Sequence, residues 1–198
     1  TVDSKTYETS IRYDDVDIPK LIDTYGESLI MRIIVQMGIM TGIKYCSLFP
    51  KQYDLRAYST YINESFISVF NTCYKHVFAQ HRYEHDNLAY PGPQILTNNI
   101  EKTHTATSIT KNDVSLLSGN GGGKDSLLSA KLLERANIPF STFQYSHSIY
   151  GNSKTQHSLI DSLNEVIIPK KIHKLHITDN FMDGSILHEY TDITSLCD

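Results

Sequence analysis

Cysteine is scarce in this chain of 198 residues, and clusters of positive charge are absent. The three cysteines, Cys46, Cys73 and Cys197, lie far apart and form no CxxC pair, so neither a structural zinc site nor a disulfide framework is predicted. No block of Lys or Arg is present and the net charge is -4, so nucleic acid is not an expected partner. These features favour a protein of a reducing, cytoplasmic compartment.

A long apolar run is also missing. The most apolar stretch, Leu29–Met40, is interrupted by Arg32 and Gln36. It is also too short to cross a bilayer, which requires about 20 apolar residues. The first residues show no signal-peptide pattern. We therefore expect no membrane partner. The length and the 40% share of hydrophobic residues suffice for one large domain or two small ones with a buried core.

Residues 1–110 predict an N-terminal α+β domain. Short alternating patches around Tyr7, Ile11 and Tyr13 favour edge strands, and Leu29–Met37 is typical of a mostly buried helix. A second, amphipathic helix is predicted by apolar residues at steps of three and four: Ile62, Phe66, Val69, Phe70, Cys73 and Val77. The polar stretch Thr97–Thr110 reads as a linker, so the domain boundary is placed near residue 110.

Residues 111–198 show a different pattern, in which short apolar strands alternate with helices. The predicted elements are, in order, a strand at Val114–Leu117, a helix at Asp125–Arg135, a strand at Phe140–Ser146, a helix at Gln156–Val166 and a strand at Lys174–Thr178. Such alternation indicates βαβ units and a parallel sheet. The fold class predicted for this half is therefore α/β.

A glycine-rich loop, SGNGGGKDS, joins the first of these strands to the first helix. Backbone N–H groups and the positive end of a helix dipole make such a turn a cradle for anions. The alternative is a loop that merely turns the chain. The Walker A pattern fails, because Ser118 stands where it needs glycine and Asp125 where it needs a hydroxyl; the dinucleotide fingerprint fails at Lys124. The candidate phosphate-binding residues are Ser118, Gly119, Gly121, Gly122, Gly123, Lys124, Asp125 and Ser126.

The last five loop residues, GGKDS, resemble the SGGxDS signature of the PP-loop family, the N-type ATP pyrophosphatases. The resemblance implies a HUP-like nucleotide-binding domain that binds ATP and Mg²⁺ and transfers AMP to a substrate oxygen, releasing pyrophosphate. By position, Gly122 and Gly123 would contact the phosphates closely, Lys124 would add charge, Asp125 would hold Mg²⁺, and Ser126 would cap the helix and bond a phosphate oxygen. The leading serine of the signature is replaced by glycine in this chain.

The same resemblance implies that the adenine rests against the backbone at the end of the next strand, at Tyr145 and Ser146. His147 follows at the carboxyl edge of the sheet, where open α/β sheets bind ligands. Because the histidine pKa lies near neutrality, His147 joins Lys124 and Asp125 as a candidate catalytic residue. The alternative for His147 is a loop histidine with no role in the chemistry.

The layout of the whole chain is similar to that of the UDP-N-acetylmuramoyl-L-alanyl-L-glutamate epimerases. That likeness implies a small-molecule substrate whose glutamate carboxylate is adenylated before epimerisation. Amide-forming (ligase) and tRNA-modifying members of the PP-loop family are alternatives, as is a nucleotide-binding module without turnover. A PP-loop sheet has more strands than residues 111–198 supply, so we expect a domain that is incomplete at its C-terminus, or one completed by a partner chain or a second copy.

A different function is suggested by His81-Arg82-Tyr83-Glu84-His85, which matches the H-x-x-E-H motif of inverted zinc peptidases. On a helix this spacing places both histidines on one face, but a catalytic zinc needs a third ligand. The alternative is the polar end of the amphipathic helix, which is the interpretation we favour.

Overall fold

The computed structural model describes residues 6–97 and 116–181. The first part contains β1 (Thr9–Tyr13), α1 (Ile18–Tyr25), α2 (Glu27–Thr41), a 3-10 helix (Gly42–Leu48), β2 (Gln52–Asp54), a 3-10 helix (Arg56–Tyr61), α3 (Glu64–Val77), α4 (Ala79–Glu84) and β3 (Gln94–Leu96). The second part contains β4 (Leu116–Gly119), α5 (Lys124–Arg135), β5 (Phe140–His147), a 3-10 helix (Ser148–Tyr150), α6 (Ser153–Asn164) and β6 (Ile172–Asp179).

The first strand belongs with the second half of the chain. β1 is an edge strand of a four-stranded sheet in the order β1-β6-β5-β4, in which it pairs antiparallel with β6. The chain accordingly divides into a sheet unit, formed by Thr1–Val16 with Ser108–Asp198, and a helical unit, Asp17–Thr107. The edge strand predicted near Tyr13 is present, but the helical unit starts later than the domain predicted for residues 1–110.

Three strands of the sheet unit, β4, β5 and β6, run parallel, as the alternating pattern predicts. α5 connects β4 to β5, and α6 connects β5 to β6. Ala130 of α5, Leu163 of α6 and Phe140 of β5 are buried in one cluster, so both helices cover the same face of the sheet. The class predicted from sequence, α/β, is confirmed; the sheet is mostly parallel, with β1 as its antiparallel strand.

The predicted elements of this half are present with shifted ends. α6 begins at Ser153, ahead of the predicted Gln156, because the Asn152 side chain accepts a hydrogen bond from the Lys154 N–H and caps the helix. The first predicted strand is described from Leu116 onward, while its residues Val114 and Ser115 lie outside the described residues. Such shifts are common where capping residues, and not apolar periodicity, decide the end of a helix.

The amphipathic helix predicted in the helical unit is α3, which starts at the cap formed by Asn63. Its buried side chains are Phe70 and Tyr74, which pack with Cys46 in an aromatic core. Val69 and Val77 were predicted on the buried face but are 54% and 70% exposed. The buried stripe is therefore narrower than the apolar pattern, and it is centred on the aromatic residues.

The apolar helix predicted over Leu29–Met37 is α2, but it is less buried than expected. Only Ile30 and Val35 are buried within it, and Ile33 is 46% exposed. α2 makes its contacts with α1 and with the two 3-10 helices, which leave part of its surface uncovered. The prediction of a mostly buried helix is therefore wrong.

The helical segment that includes α2 is also longer than the apolar run in the sequence. α2 continues into the next 3-10 helix, and the combined segment Glu27–Leu48 is 22 residues long. Among the described residues, this one segment has the length and apolar composition to cross a membrane. Core helices of soluble proteins and signal sequences meet the same criteria, so the segment by itself assigns no location.

Cys46 in the aromatic core is expected to resist alkylation. Its side chain is fully buried, and burial raises the pKa of the thiol from 9.0 to about 12. Because the thiolate is the reactive form, we expect iodoacetamide to label Cys46 at least about a hundredfold more slowly than the half-buried Cys73. Peptide mapping after timed labelling at pH 8 measures both rates. Equal rates would contradict this arrangement of the core, and labelling in urea provides the unfolded reference.

Candidate functional site

The glycine loop leaves the end of β4 and is fixed at its base by a buried asparagine. The Asn120 N–H donates to the Phe143 carbonyl at 2.8 Å, which extends the pairing of β4 with β5. The Asn120 side chain accepts from the Gly122 N–H at 2.9 Å and donates to Asn164 Oδ1 of α6 at 2.8 Å. Asn120 is 5% exposed, so the base of the loop is buried. The sequence pattern indicates only a loop residue at Asn120.

The turn itself requires a glycine at position 122. Gly122 has a φ of 78°, a left-handed conformation that residues with a Cβ seldom adopt. A Cβ at this position would lie 3.4 Å from Cα and from Cγ1 of Ile160, on α6. The loop therefore passes directly over α6, and the absence of a side chain allows that approach.

The start of α5 carries no side-chain cap. Gly123 occupies the N-cap position, and no side chain accepts from the first N–H groups of the helix. The Ser126 hydroxyl accepts from the Gly121 N–H at 3.0 Å, so the prediction that Ser126 caps the helix is wrong. The unpaired N–H groups and the helix dipole leave this end suited to an anion.

Two charged side chains of the loop are open to solvent. Lys124 and Asp125 are exposed, and among the described residues neither forms a hydrogen bond or an ion pair. A Cβ added at Gly119 or Gly123 would meet no atom within 4 Å, so space is open beside both glycines. No group of three or more potential metal ligands occurs among the described residues. Mg²⁺ commonly takes one or two protein carboxylates and completes its shell with phosphate oxygens and water, a role that Asp125 fits.

A network of buried polar side chains lies beneath the loop, between β5 and α6. Gln144 is 1% exposed; its Nε2 lies 3.1 Å from His157 Nδ1 and 3.1 Å from Asp161 Oδ1, and its Oε1 accepts from Asn164 at 2.8 Å. Because Asn164 also accepts from Asn120, the network reaches the base of the glycine loop. The sequence hints at this network only through polar residues at alternate positions of β5, on the face that the helices cover: Thr142, Gln144 and Ser146.

Ionisation in this network follows from its surroundings. Burial pulls the pKa of Asp161 upward, but hydrogen bonds from Lys174 and Gln144 outweigh it, so the pKa of Asp161 lies below its ordinary value. Burial lowers the pKa of His157, and the neighbouring His176 and Lys174 lower that pKa further. Lys174 donates to Asp161 at 2.8 Å. At neutral pH the network thus holds a neutral imidazole beside a Lys–Asp ion pair.

The strand-end residues predicted to hold the adenine point to opposite faces of the sheet. Ser146 is 1% exposed on the helix-covered face, whereas Tyr145 is 50% exposed on the other face. The predicted adenine contact is with the backbone of β5, so the two side chains would lie on either side of it.

His147 is engaged in shaping the chain that follows β5. Its Nδ1 accepts from the Ile149 N–H, its N–H and carbonyl bond the Gln156 side chain, and its Nε2 lies 4.0 Å from Asp179 Oδ2. These partners come from the 3-10 turn, α6 and β6. The geometry supports a role for His147 in positioning this edge of the sheet.

The H-x-x-E-H histidines lie in the helical unit, on α4 and at its end. His81 Nε2 lies 3.1 Å from the Ser47 carbonyl, and His85 Nδ1 lies 2.7 Å from the His81 carbonyl. The His81 ring stacks on Phe49, with centroids 5.3 Å apart. Each histidine thus has one nitrogen engaged with the backbone and packs against aromatic residues, so the predicted solvated helix end is in fact half-buried.

The chain was compared with models of known protein families, with curated proteins and with solved structures, and none of the three comparisons gave a match. The structure by itself defines a mixed α/β unit with a mostly parallel sheet and a glycine loop at its carboxyl edge.

Proposed function

We propose that the sheet unit binds ATP with Mg²⁺ at the glycine loop and transfers AMP to an oxygen of a small-molecule carboxylate, releasing pyrophosphate. One observation carries this proposal: the loop joins a parallel strand to an uncapped helix, with Lys124 and Asp125 exposed and unpaired at the helix start. The type of reaction, AMP transfer with release of pyrophosphate, is inferred from the resemblance of GGKDS to the PP-loop signature. Glutamate in a peptidoglycan precursor is the acceptor suggested by the layout of the chain.

The proposal gives each loop residue a task that its position allows. The N–H groups at the start of α5 would donate to phosphate oxygens, and Lys124 would offset their charge. Asp125 would hold Mg²⁺. The bound ion would neutralise the negative charge that develops on the departing pyrophosphate. Adenylation turns a carboxylate oxygen into a good leaving group, and the loop's rigid base at Asn120 would keep the phosphates in line with the acceptor.

Calorimetric titration of the full chain with Mg·ATP, followed by a pyrophosphate-release assay, tests this function. The assay panel contains free amino acids, peptidoglycan precursors and tRNA, each with ATP. We expect binding of ATP and release of pyrophosphate with at least one carboxylate. Failure of ATP to bind would refute the proposal, and release only with tRNA would move the acceptor to the tRNA-modifying class.

Two loop variants separate function from folding. Asp125→Asn is expected to reduce the rate of pyrophosphate release about a hundredfold, because the metal ligand is lost. Gly123→Ala places a methyl group in open space at a φ of -94°, so it should change stability by less than about 1 kcal/mol while weakening Mg·ATP binding. Full activity in Asp125→Asn would remove the metal role of this residue.

A nucleotide-binding module without turnover is the second candidate. It is favoured by glycine at position 121, because the PP-loop signature has at that position a serine whose side chain would contact a phosphate. ATP binding without pyrophosphate release for every acceptor in the panel would support this module, and the same titration and assay decide between the two.

A further inference from the structure

A pocket lies in the sheet unit, on the helix-covered face of the sheet and beside the start of α6. It has a volume of about 250 Å³ and is lined mainly by polar residues: Ser10, Arg12, Ser146, Ser148, Gly151, Ser153, His176, Ile177 and Thr178. The pairing of β1 with β6 sets Ser10 opposite Thr178 and Arg12 opposite His176, and β5 sets Ser146 beside His176. Three strands thus direct polar side chains to one place.

Several of the hydrogen-bond donors that line this pocket are available to a ligand. Among the described residues, the hydroxyls of Ser10, Ser153 and Thr178 make no hydrogen bond. Arg12 is 69% exposed and touches Asp14 at 3.4 Å through one terminal nitrogen, so most of its N–H groups remain available. Hydroxyls grouped with a guanidinium are typical of a site for a carboxylate or a phosphate.

A fixed row of side chains forms the floor of the pocket. His176 Nε2 lies 2.9 Å from Asp14 Oδ2, and His176 Nδ1 lies 3.2 Å from the Ser146 hydroxyl. The hydrogen bond from His176 holds the pKa of Asp14 below its ordinary value, so this carboxyl is ionised. Asp14 therefore fixes the imidazole ring and also limits the positive charge that Arg12 presents.

The same row has the residue types of a nucleophilic triad. Ser146, however, is only 1% exposed and lies within a strand, where a substrate carbonyl has little access to its oxygen. The exposed donors are those at the rim, Ser10, Arg12 and Thr178. Binding at the rim is therefore better supported than covalent chemistry at the floor.

We propose that this pocket binds the oxyanion group of a small molecule, a carboxylate or a phosphate, with Arg12 as the charged contact. The volume suits an amino-acid-sized ligand or a small phosphorylated one. The proposal is independent of ATP binding at the glycine loop, because the pocket and the loop share no residue.

Amide chemical shifts of the full chain, recorded during titrations with inorganic phosphate and separately with glutamate, test the site. We expect shifts at Ser10, Arg12 and Thr178, and the probe with the lower dissociation constant identifies the source of the oxyanion. Arg12→Gln should weaken binding at least about tenfold, and Asp14→Asn, which removes the opposing carboxylate, should tighten it about threefold.

A matched control is provided by Arg56, an exposed arginine paired with Asp54 in the helical unit, as Arg12 is with Asp14. Arg56→Gln should leave both titrations unchanged. The proposal would be overturned if neither phosphate nor glutamate shifted these amides. It would also be overturned if Arg12→Gln bound the probes as tightly as the unsubstituted protein does. Labelling of Ser146 by a fluorophosphonate would also overturn the proposal, because it would identify Ser146 as a nucleophile.

Discussion

Replacing Gly122 with valine is expected to destabilise the sheet unit by about 3 kcal/mol and to abolish ATP binding at the glycine loop. The φ of 78° is costly for any residue with a Cβ and most costly for a β-branched one. The new side chain would also press on Ile160, whose backbone is part of α6 and cannot move aside alone. The loop would have to leave its position, and the N–H groups at the start of α5 would lose their alignment.

Hydrogen exchange of the amides in β5 and β6 measures this effect within the sheet unit. A loss of about 3 kcal/mol corresponds to exchange about a hundredfold faster for amides that open with the whole unit. Gly123→Ala is the matched control, since it adds a side chain one residue later at an allowed φ and into open space. Unchanged exchange in Gly122→Val would show that the loop does not rest on α6.

Replacing Gln144 with leucine should cost the sheet unit about 3 kcal/mol, because it removes the centre of the buried polar network. The leucine fills a similar volume but leaves Asn164 and His157 without the bonds that Gln144 provides. Each buried polar group left unpaired costs about 1–3 kcal/mol. Because Asn164 also holds Asn120, the variant should reduce ATP affinity as well.

Thr142→Val is the matched control for Gln144→Leu. Thr142 lies on the same face of β5, is equally buried, and its hydroxyl has no partner within the described residues. Removal of that hydroxyl should leave stability unchanged or slightly raised, by about 1 kcal/mol. If both variants lost equal stability in the same exchange measurement, the cause would be packing and not hydrogen bonding.

The parts of this structure that the sequence predicted are those encoded locally. Apolar periodicity located β5, α5 and α6, and the glycine run located the turn at the helix start. These features need only neighbouring residues to form.

The features that were missed depend on contacts between distant segments. β1 was expected in an N-terminal domain, but its partner in the sheet is a strand 170 residues away, as the bond between Thr9 and Asp179 shows. Asparagine is common in turns, so the residue type at position 120 does not predict burial. Asn120 is buried because its side chain bonds to Asn164 in α6. The pocket around Arg12 likewise arises only when β1 meets β6, so no local pattern contains it.

The position of β1 has a consequence for how the protein can be divided. A fragment that begins at residue 111 would lack β1 and would expose the edge of β6 with its unpaired backbone groups. It would also lack Asp15, the partner of Lys171 and His173, and Asp14, the partner of His176. Bare strand edges pair with other chains, so such a fragment is prone to self-association. During synthesis, too, the N-terminal strand must wait until nearly all of the described chain has been made before its partner exists.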